Sequence, residues 1–544
     1  MTSVSSIQSW NPTPTRAPVA TTGRDDAPQA ASASTPSTIV SLSQASVSAA
    51  SGVAGMDPAS PPSLIWERAS RDPVSDAMAK NLNAHSGSGR FSGLGAALLD
   101  QLKGGVTNLS QSALRTPPGL KPDTYAAIGA NPAGALHGAG DDKVSLNIST
   151  RSGVEVRLSL DSQGDGLAVQ MTTSGELSED ETRALGSLSK AFQDAIDGMV
   201  QEPPQIKLAG LMQFDAKMLA SVELRAVVKL NTEPESTQTV SFHADGAQRK
   251  LSFSGAAGTL DVQVDTSKLA SLGSQDQQAR AMSSYMKQFD QAATRGHADG
   301  ALMDMFKDAF SAMNSNYGDA TQQLSTSGAK PGKWALAAEE RAMLTGLADF
   351  SASVSQTPKM SNPMRLSEQD GFAYEVSQST SVAGRSYDDR AISQQQKSQL
   401  NASFHMPLTP GTQLRLDGAA ESQNYTYHQI SDSASSDARM QYKEGKIVNA
   451  SLQQSSSQSE RIMTYVMGKM KSDVTIPRET SLLRDLVSTL GPFKGGEAGM
   501  SSEKKAEQRT QLLSALNQDI FLQAYPVQAN GGWQAGEAAQ PALA

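Results

Sequence analysis

The sequence of 544 residues contains no cysteine. This absence excludes disulfides, cysteine-ligated zinc, iron–sulfur clusters and a thiol nucleophile. Aromatic residues make up only 5% and charged residues 19% of the chain, which is rich in serine, alanine and glutamine. A chain of this composition is expected to bury an apolar core over part of its length and not over all of it.

An excess of positive charge is also missing. The formal net charge is −9, which disfavours broad binding to nucleic acid or to anionic membranes. No apolar run approaches the roughly 20 residues that a membrane-spanning helix needs. The first ten residues lack the basic and apolar regions of a Sec signal peptide. The sequence therefore predicts a soluble cytoplasmic protein, unless it is secreted by a route that needs no Sec signal.

Familiar catalytic and cofactor motifs are absent as well. None of the six histidines has a metal-binding spacing, and the closest pair, His243 and Asp245, fits a hairpin turn. His405 and His428 fall in different predicted strands, where they could face one another. The glycines of 87–93 match neither a phosphate loop nor a dinucleotide fingerprint. We therefore predict no catalytic residue, no metal ligand and no cofactor.

One segment resembles the first half of a calcium-binding loop. Asp161 and Asp165 are spaced as calcium ligands, but the twelfth position is Thr172 in place of a bidentate glutamate, and Gly164 offers no side-chain ligand. The flanking sequence alternates as strands do. We interpret 161–166 as a polar hairpin turn.

Periodicity and composition predict an α+β fold in which antiparallel β meanders are covered by amphipathic helices and preceded by a long disordered N-terminal arm. Alternating apolar residues predict about seven strands in the first β-rich domain. The sequence leaves open whether the two β-rich segments form one sheet or two domains. Seven regions are expected: a disordered Ser/Ala/Pro-rich arm (1–75), short helices and linker (76–141), an α+β domain (142–270), a helical region (271–356), a second β-rich segment (371–455), a C-terminal helical region (456–525) and a disordered tail (526–544).

The clearest local signal is a helix that begins after Ser178. Glu181 stands three residues later, so the two can form a capping box. Apolar residues at spacings of three and four follow from Leu185 to Met199, and Pro203 ends the helix.

The residues around this helix resemble an uncharacterised family of bacterial proteins. The resemblance rests on Gly175-Glu-Leu-Ser-Glu-Asp-Glu-Thr-Arg-Ala-Leu and on Phe214-Asp-Ala-Lys-Met-Leu-Ala-Ser-Val-Glu-Leu, and it spans about 142–230. It implies a strand pair that leads into a capped helix. It implies no activity and no site residue.

The N-terminus resembles the export signals of type III-secreted proteins from plant-associated bacteria. Eleven of the first 50 residues are serine, position 4 is the aliphatic Val4, and the first acidic residue is Asp25. The same composition is also typical of an ordinary disordered tail, so both interpretations stay open.

Within the arm, Leu64, Ile65 and Trp66 form an apolar island. Such a segment can dock in a groove of a partner or add a strand to a sheet edge, and it can equally pack on its own domain. Two lysines, Lys469 and Lys471, make a mild basic cluster with Arg461 and Tyr465, for which a solvated surface is the expected role.

These observations favour a non-catalytic protein-interaction or structural protein of a bacterium, exported through a type III-type apparatus if the N-terminus acts as a signal. The expected partner is a protein or an export chaperone, and not a nucleic acid. The alternative is a hydrolase-like enzyme with a dispersed active site, since catalytic groups meet in space and need not be close in sequence.

Overall fold

The computed structural model describes residues 63–69, 71–83, 89–117, 133–201, 203–230, 236–267, 271–317, 336–491 and 501–523. The predicted disorder of 1–62 and of 526–544 lies outside these residues.

The described strands form a single antiparallel sheet. Its fifteen strands are β1 (Leu64–Trp66), β2 (Asn108–Arg115), β3 (Asp142–Thr150), β4 (Glu155–Gln163), β5 (Gly166–Thr173), β6 (Leu219–Leu230), β7 (Ser236–Asp245), β8 (Gln248–Gly255), β9 (Gly258–Asp265), β10 (Asp349–Gln356), β11 (Gly371–Gly384), β12 (Arg390–Pro407), β13 (Tyr425–Lys443), β14 (Lys446–Val466) and β15 (Lys469–Asp485).

The sheet order is β1-β2-β5-β4-β3-β6, and from β6 onward each strand pairs with the next in sequence up to β15. The two β-rich segments are therefore continuous, because β10 pairs with β9 on one side and with β11 on the other. Strands β1 and β15 are the two edges of the described sheet.

Helices cover one face of this sheet, which we call the inner face. They are α1 (Pro73–Asn83), α2 (Leu94–Lys103), α3 (Glu179–Ser187), α4 (Ser189–Met199), α5 (Gln275–Gly296), α6 (Gly300–Met313), α7 (Ala338–Ala342), α8 (Val487–Leu490) and α9 (Ser502–Asp519). Their apolar sides and the inner sides of the strands share one main core. The predicted α+β class, with antiparallel strands covered by helices, is confirmed.

The predicted capping box is present at the start of α3. The Ser178 hydroxyl accepts a hydrogen bond from the Glu181 backbone N–H at 3.3 Å, and the Glu181 carboxylate accepts one from the Ser178 N–H at 2.9 Å. Each side chain satisfies a backbone donor that the helix itself leaves without a partner.

Three predicted boundaries are wrong. The arm was expected to extend to residue 75, but β1 pairs with β2 and α1 begins at Pro73. The region 76–141 also contains β2, and the helical region 271–356 ends in β10. Strand β1 has only three residues and β2 lacks strict apolar alternation, so periodicity does not identify them. In β10, Phe350, Ala352 and Val354 do alternate with serine, and this signal is outweighed by the helical pattern before it.

The predicted C-terminal helical region (456–525) is wrong over its first half. Strand β14 continues to Val466, and β15 occupies most of the residues up to Asp485. These strands contain 21 and 17 residues and place serine and glutamine where apolar residues mark an ordinary strand. Helices return only with α8 and α9.

Among the described residues, no helix combines the length and the apolar character that crossing a membrane requires.

Candidate interaction surface

The predicted partner-binding residues form the first strand of the sheet. Leu64, Ile65 and Trp66 pair with Arg115, Leu114 and Ala113, in that order, and all three are half-buried. Leu64 and Trp66 pack against the main core. The island thus packs on its own domain in this structure, as the alternative to binding a partner predicts.

The turn interpretations agree with the structure. Asp245 ends β7, lies 2.9 Å from His243 Nε2, and accepts hydrogen bonds from the backbone N–H groups of Ala247 and Gln248. Gly164 and Asp165 form the hairpin turn between β4 and β5, and Asp161 lies in the last part of β4. Within the described ranges, no three acidic or histidine side chains are grouped as a metal site requires.

His405 and His428 lie on opposite faces of the sheet and do not face one another. Phe404 is the register partner of His428, whereas His405 pairs with Tyr427. Neighbouring residues of a strand point to opposite faces. Phe404 stacks on His297 at the end of α5, with ring centres 4.0 Å apart, so His428 belongs to the inner face and His405 to the outer face.

A loop covers His405 on the outer face. Residues 357–370 connect β10 to β11, and we call them the clasp. Asp370 Oδ1 lies 2.6 Å from His405 Nδ1, and Glu368 Oε2 lies 3.2 Å from His405 Nε2. Tyr425 donates a hydrogen bond to Glu368 at 2.7 Å. The His405 side chain is 1% exposed, so these contacts are shielded from water.

Further contacts tie the clasp to neighbouring strands. The Asn362 side-chain amide donates to Tyr425 Oη and to Gln423 Oε1, both at 2.9 Å. The Arg365 guanidinium lies 4.2 Å from the centre of the Tyr465 ring. Burial of Tyr465, and then the nearby Glu368 carboxylate, raises the pKa of the Tyr465 hydroxyl to about 12. These contacts hold the clasp against β13 and β14.

A histidine between two carboxylates is an arrangement that general bases use. Here both ring nitrogens of His405 already face carboxylate oxygens, and the ring is buried beneath the clasp. The contacts fasten the clasp to the sheet.

A trough of about 680 Å³ crosses the outer face from β8 to β14. Two lysines, Lys250 and Lys397, and two acids, Asp261 and Glu375, line it together with serines and glutamines. Its ionisable lining balances in charge, and its lining contains no aromatic side chain. The trough has the hydrated character that the polar alternation of these strands predicts.

Exposed apolar side chains concentrate in one part of the molecule. Among the described residues, every large apolar side chain that is strongly exposed lies between residues 360 and 483, in the part of the chain from the clasp to β15. They are Met360, Met364, Leu366, Val382, Tyr387, Leu408, Val448, Met467, Met470, Val474, Ile476 and Leu483.

Several of these side chains are neighbours. Arg365 donates a hydrogen bond to the carbonyl of Gly468 at 3.0 Å, which brings the clasp to the turn that contains Met467. Met470 is the register partner of Tyr465, the ring that Arg365 covers. We call the exposed apolar residues of the clasp and of the adjoining β14–β15 turn the methionine patch: Met360, Met364, Leu366, Met467 and Met470, which are 46–65% exposed.

The methionine patch has basic sequence neighbours. Lys359 precedes Met360, and Lys469 and Lys471 flank Met470. The basic cluster expected from the sequence is divided, because Arg461 forms an ion pair with Asp473 at 2.6 Å. The two lysines of the cluster are exposed. Sequence periodicity could not find this surface, since its residues come from a loop and a hairpin turn that are distant in sequence.

The adjacent edge of the sheet is exposed but poorly suited to strand addition. Residues 469–479 of β15 are exposed along their whole length. Pro477 lies in the middle of this strand and lacks the backbone N–H that a pairing strand would need. Charged side chains and proline are the devices that edge strands use against pairing with other chains.

No family model, curated protein or solved structure matches this chain. The resemblance of 142–230 to a bacterial family therefore stays a prediction, and the functional argument rests on the geometry of the chain itself.

Proposed function

We propose that this chain is a non-catalytic protein-interaction protein of a bacterium and that its partner binds the methionine patch. The observation that carries the proposal is the confinement of the strongly exposed large apolar side chains, among the described residues, to the stretch from the clasp to β15. Apolar side chains that cluster on an otherwise polar surface are typical of protein interaction sites. Methionine suits such a site because its flexible, polarizable side chain adapts to its partner.

The partner's chemistry follows from the charges around the patch. Lys359, Lys469 and Lys471 adjoin its methionines although the whole chain carries a net charge of −9. Positive charge close to exposed apolar residues is complementary to an apolar surface that carries acidic side chains. We therefore propose an amphipathic helix with glutamate or aspartate beside its apolar face.

A binding experiment with synthetic helices tests this proposal. Two peptides share one apolar face and carry either glutamate or lysine beside it. We expect the acidic peptide to bind the full chain more tightly, and salt to weaken that binding. Met470→Asp should weaken it at least about tenfold through burial of a charge at the interface. Val448→Asp is the matched control, since Val448 is 51% exposed outside the patch.

Three results would contradict the proposal: no binding of the acidic helix, equal binding to the Met470→Asp chain, or stronger binding of the lysine peptide. Binding to vesicles of anionic lipid in place of the helix would assign the patch to a membrane surface instead.

We also propose that the chain is exported through a type III-type apparatus. The support is the serine-rich, acid-poor composition of the first 24 residues. A reporter fused to residues 1–62 tests this without including β1. Export only from cells with a working apparatus is expected, and equal retention in cells with and without it would contradict the proposal.

The alternative function is a hydrolase-like enzyme. Its specific support is His405 between Asp370 and Glu368, which would need the clasp to open before a substrate could reach the ring. The test is hydrolysis of a panel of ester, amide and glycoside substrates by the full chain. Turnover that disappears in His405→Gln would favour this alternative over the interaction proposal.

A further inference from the structure

The residues after α9 lie across the inner face of three strands. Ile520, Phe521 and Leu522 follow the last residue of the helix, Asp519, and are 0%, 8% and 3% exposed. Ile520 packs in a small core beside β13 and β14, and the next two side chains join the main core. A short non-helical segment thus connects two apolar clusters.

Side chains of the strands bind the backbone of this segment. Gln396 of β12 donates to the carbonyl of Ile520 at 2.9 Å and accepts from the N–H of Leu522 at 3.1 Å. Ser436 of β13 donates to the same Ile520 carbonyl at 2.7 Å. Gln454 of β14 donates to the carbonyls of Asp519 and Phe521, at 2.9 and 3.0 Å. All five hydrogen bonds go to backbone atoms.

The three side chains that bind the segment's backbone are almost fully buried. Gln396, Gln454 and Ser436 are 1%, 2% and 0% exposed. Tyr285 of α5 holds Gln396 from the other side, with its hydroxyl 3.1 Å from Gln396 Oε1. Buried amides are costly without partners, so these positions require a peptide backbone, or water, at this location.

This combination matches the way proteins bind extended peptides: polar groups bind the backbone while apolar pockets take the side chains. We propose that Gln396, Ser436 and Gln454 form a peptide-binding site, that its ligand is the chain's own C-terminal segment, and that the site binds this segment also when it is supplied as a separate peptide. The ligand class is an apolar triplet with free backbone groups, here Ile-Phe-Leu.

The attachment of the segment to the chain supports its separability. The first seven residues of α9, from Ser502 to Gln508, are exposed. Arg509 follows them and is partly buried, and its guanidinium donates to the carbonyls of Thr489 and Leu490. Further along, Asn517 donates to the carbonyls of Ala342 and Leu344. The contacts of α9 with the rest of the chain therefore begin at Arg509, after two exposed helical turns.

A clipped full chain tests the proposal. A protease site is placed between Gly491 and Ser501, the chain is folded whole, and it is then cut. A labelled synthetic peptide of residues 501–523 is added, and its fluorescence anisotropy is measured. We expect saturable binding as the peptide replaces the resident segment. The same peptide with Ile520→Asp should bind at least about tenfold more weakly, because a carboxylate would enter an apolar pocket.

Variants of the strands identify the site. Gln396→Met keeps the approximate volume and removes both amide contacts, so it should weaken peptide binding by about tenfold. Gln399→Met is the matched control on the exposed outer face of the same strand. If Gln396→Met does not fold, Ser436→Ala removes one hydrogen bond without adding volume. A clipped chain that never takes up the peptide, or equal affinity for Gln396→Met and the parent chain, would overturn the proposal.

Discussion

Asp370 Oδ1 lies 2.6 Å from His405 Nδ1, and this contact fastens the clasp to strand β12. Asp370 also accepts a hydrogen bond from the hydroxyl of Ser361. Burial raises the pKa of the Asp370 carboxyl, but the hydrogen bonds from His405 and Ser361 outweigh burial and hold the pKa below its usual value of 3.8. The charged carboxylate is thus part of what keeps the clasp closed.

We expect Asp370→Asn to loosen the clasp. The amide replaces a charge-assisted hydrogen bond to His405 with a weaker one, and the loss should be about 1–3 kcal/mol in the free energy of unfolding. Hydrogen exchange of the clasp amides should accelerate more than exchange in β3–β9. Glu421→Gln, an exposed change in the neighbouring loop, serves as the control. Unchanged exchange of the clasp would contradict the role assigned to Asp370.

Protonation of Glu181 is expected to lower the free energy of unfolding in acid. Hydrogen bonds from the Ser152 hydroxyl and then from the Ser178 backbone lower the pKa of the Glu181 carboxyl from 4.5 to about 2. A lowered pKa in the folded state means that this stabilisation is complete above pH 4.5 and is lost as the pH falls toward 2. Glu181→Gln should therefore unfold more easily at pH 7 and show a flatter decline between pH 4.5 and 2.

Denaturant unfolding at a series of pH values measures this effect. Glu179→Gln, on the same helical turn but exposed, is the matched control. If the Glu181→Gln chain declines as steeply with acid as the parent chain, the capping carboxylate does not supply the pH dependence.

Glu340 and Arg390 form a buried ion pair. Removing one partner should therefore lower the free energy of unfolding more than replacing both. Arg390 Nε lies 2.5 Å from Glu340 Oε1, and the two side chains are 2% and 0% exposed. The guanidinium also lies 3.6 Å from the Tyr442 ring centre and 3.8 Å from that of Tyr387. Removing one partner leaves a charge buried without its counter-ion.

We expect Glu340→Gln to lower the free energy of unfolding by about 3–5 kcal/mol. Glu340→Gln combined with Arg390→Met should cost less than the single change, because no unpaired charge remains. Asp194→Asn breaks the exposed pair with Lys190 and should cost less than about 1 kcal/mol. Thermal unfolding of the four chains checks the order. A double variant that is less stable than Glu340→Gln would contradict this reasoning.

The sequence predicts the apolar half of the sheet well and the polar half poorly. In β3–β9 the inner positions are apolar, as at Leu146 and Val262, and strict alternation marks each strand. In β14 the inner positions include Gln454, Ser456 and Gln458, which are buried although they are polar. Hydrophobic periodicity cannot identify such strands. These segments are strands because they pair with neighbouring strands of the sheet, and their composition alone does not show this.

Sequence periodicity does not reveal the candidate sites, because their contacts join residues far apart in the chain. Arg365 and Gly468 are 103 residues apart, and Gln396 is 126 residues from Leu522. Contacts at such separations depend on the strand order, which the sequence left open. The capping box, whose two residues are three apart, needed no knowledge of the fold.

The described part of the N-terminal region begins at Ser63, next to β1. Ser63 donates its backbone N–H to the Thr116 hydroxyl at 3.0 Å, and Glu67 accepts a hydrogen bond from Ser112 at 3.0 Å. Deletion of 1–62 should therefore leave the melting temperature unchanged, whereas deletion of 1–75 should lower it by several degrees. The longer deletion removes β1 and the start of α1, including the Asp72 carboxylate that accepts from the N–H of Val74 at 2.9 Å. Calorimetry of both truncated chains separates the outcomes. Equal melting temperatures would mean that β1 adds no stability and would return the boundary of the arm to residue 75.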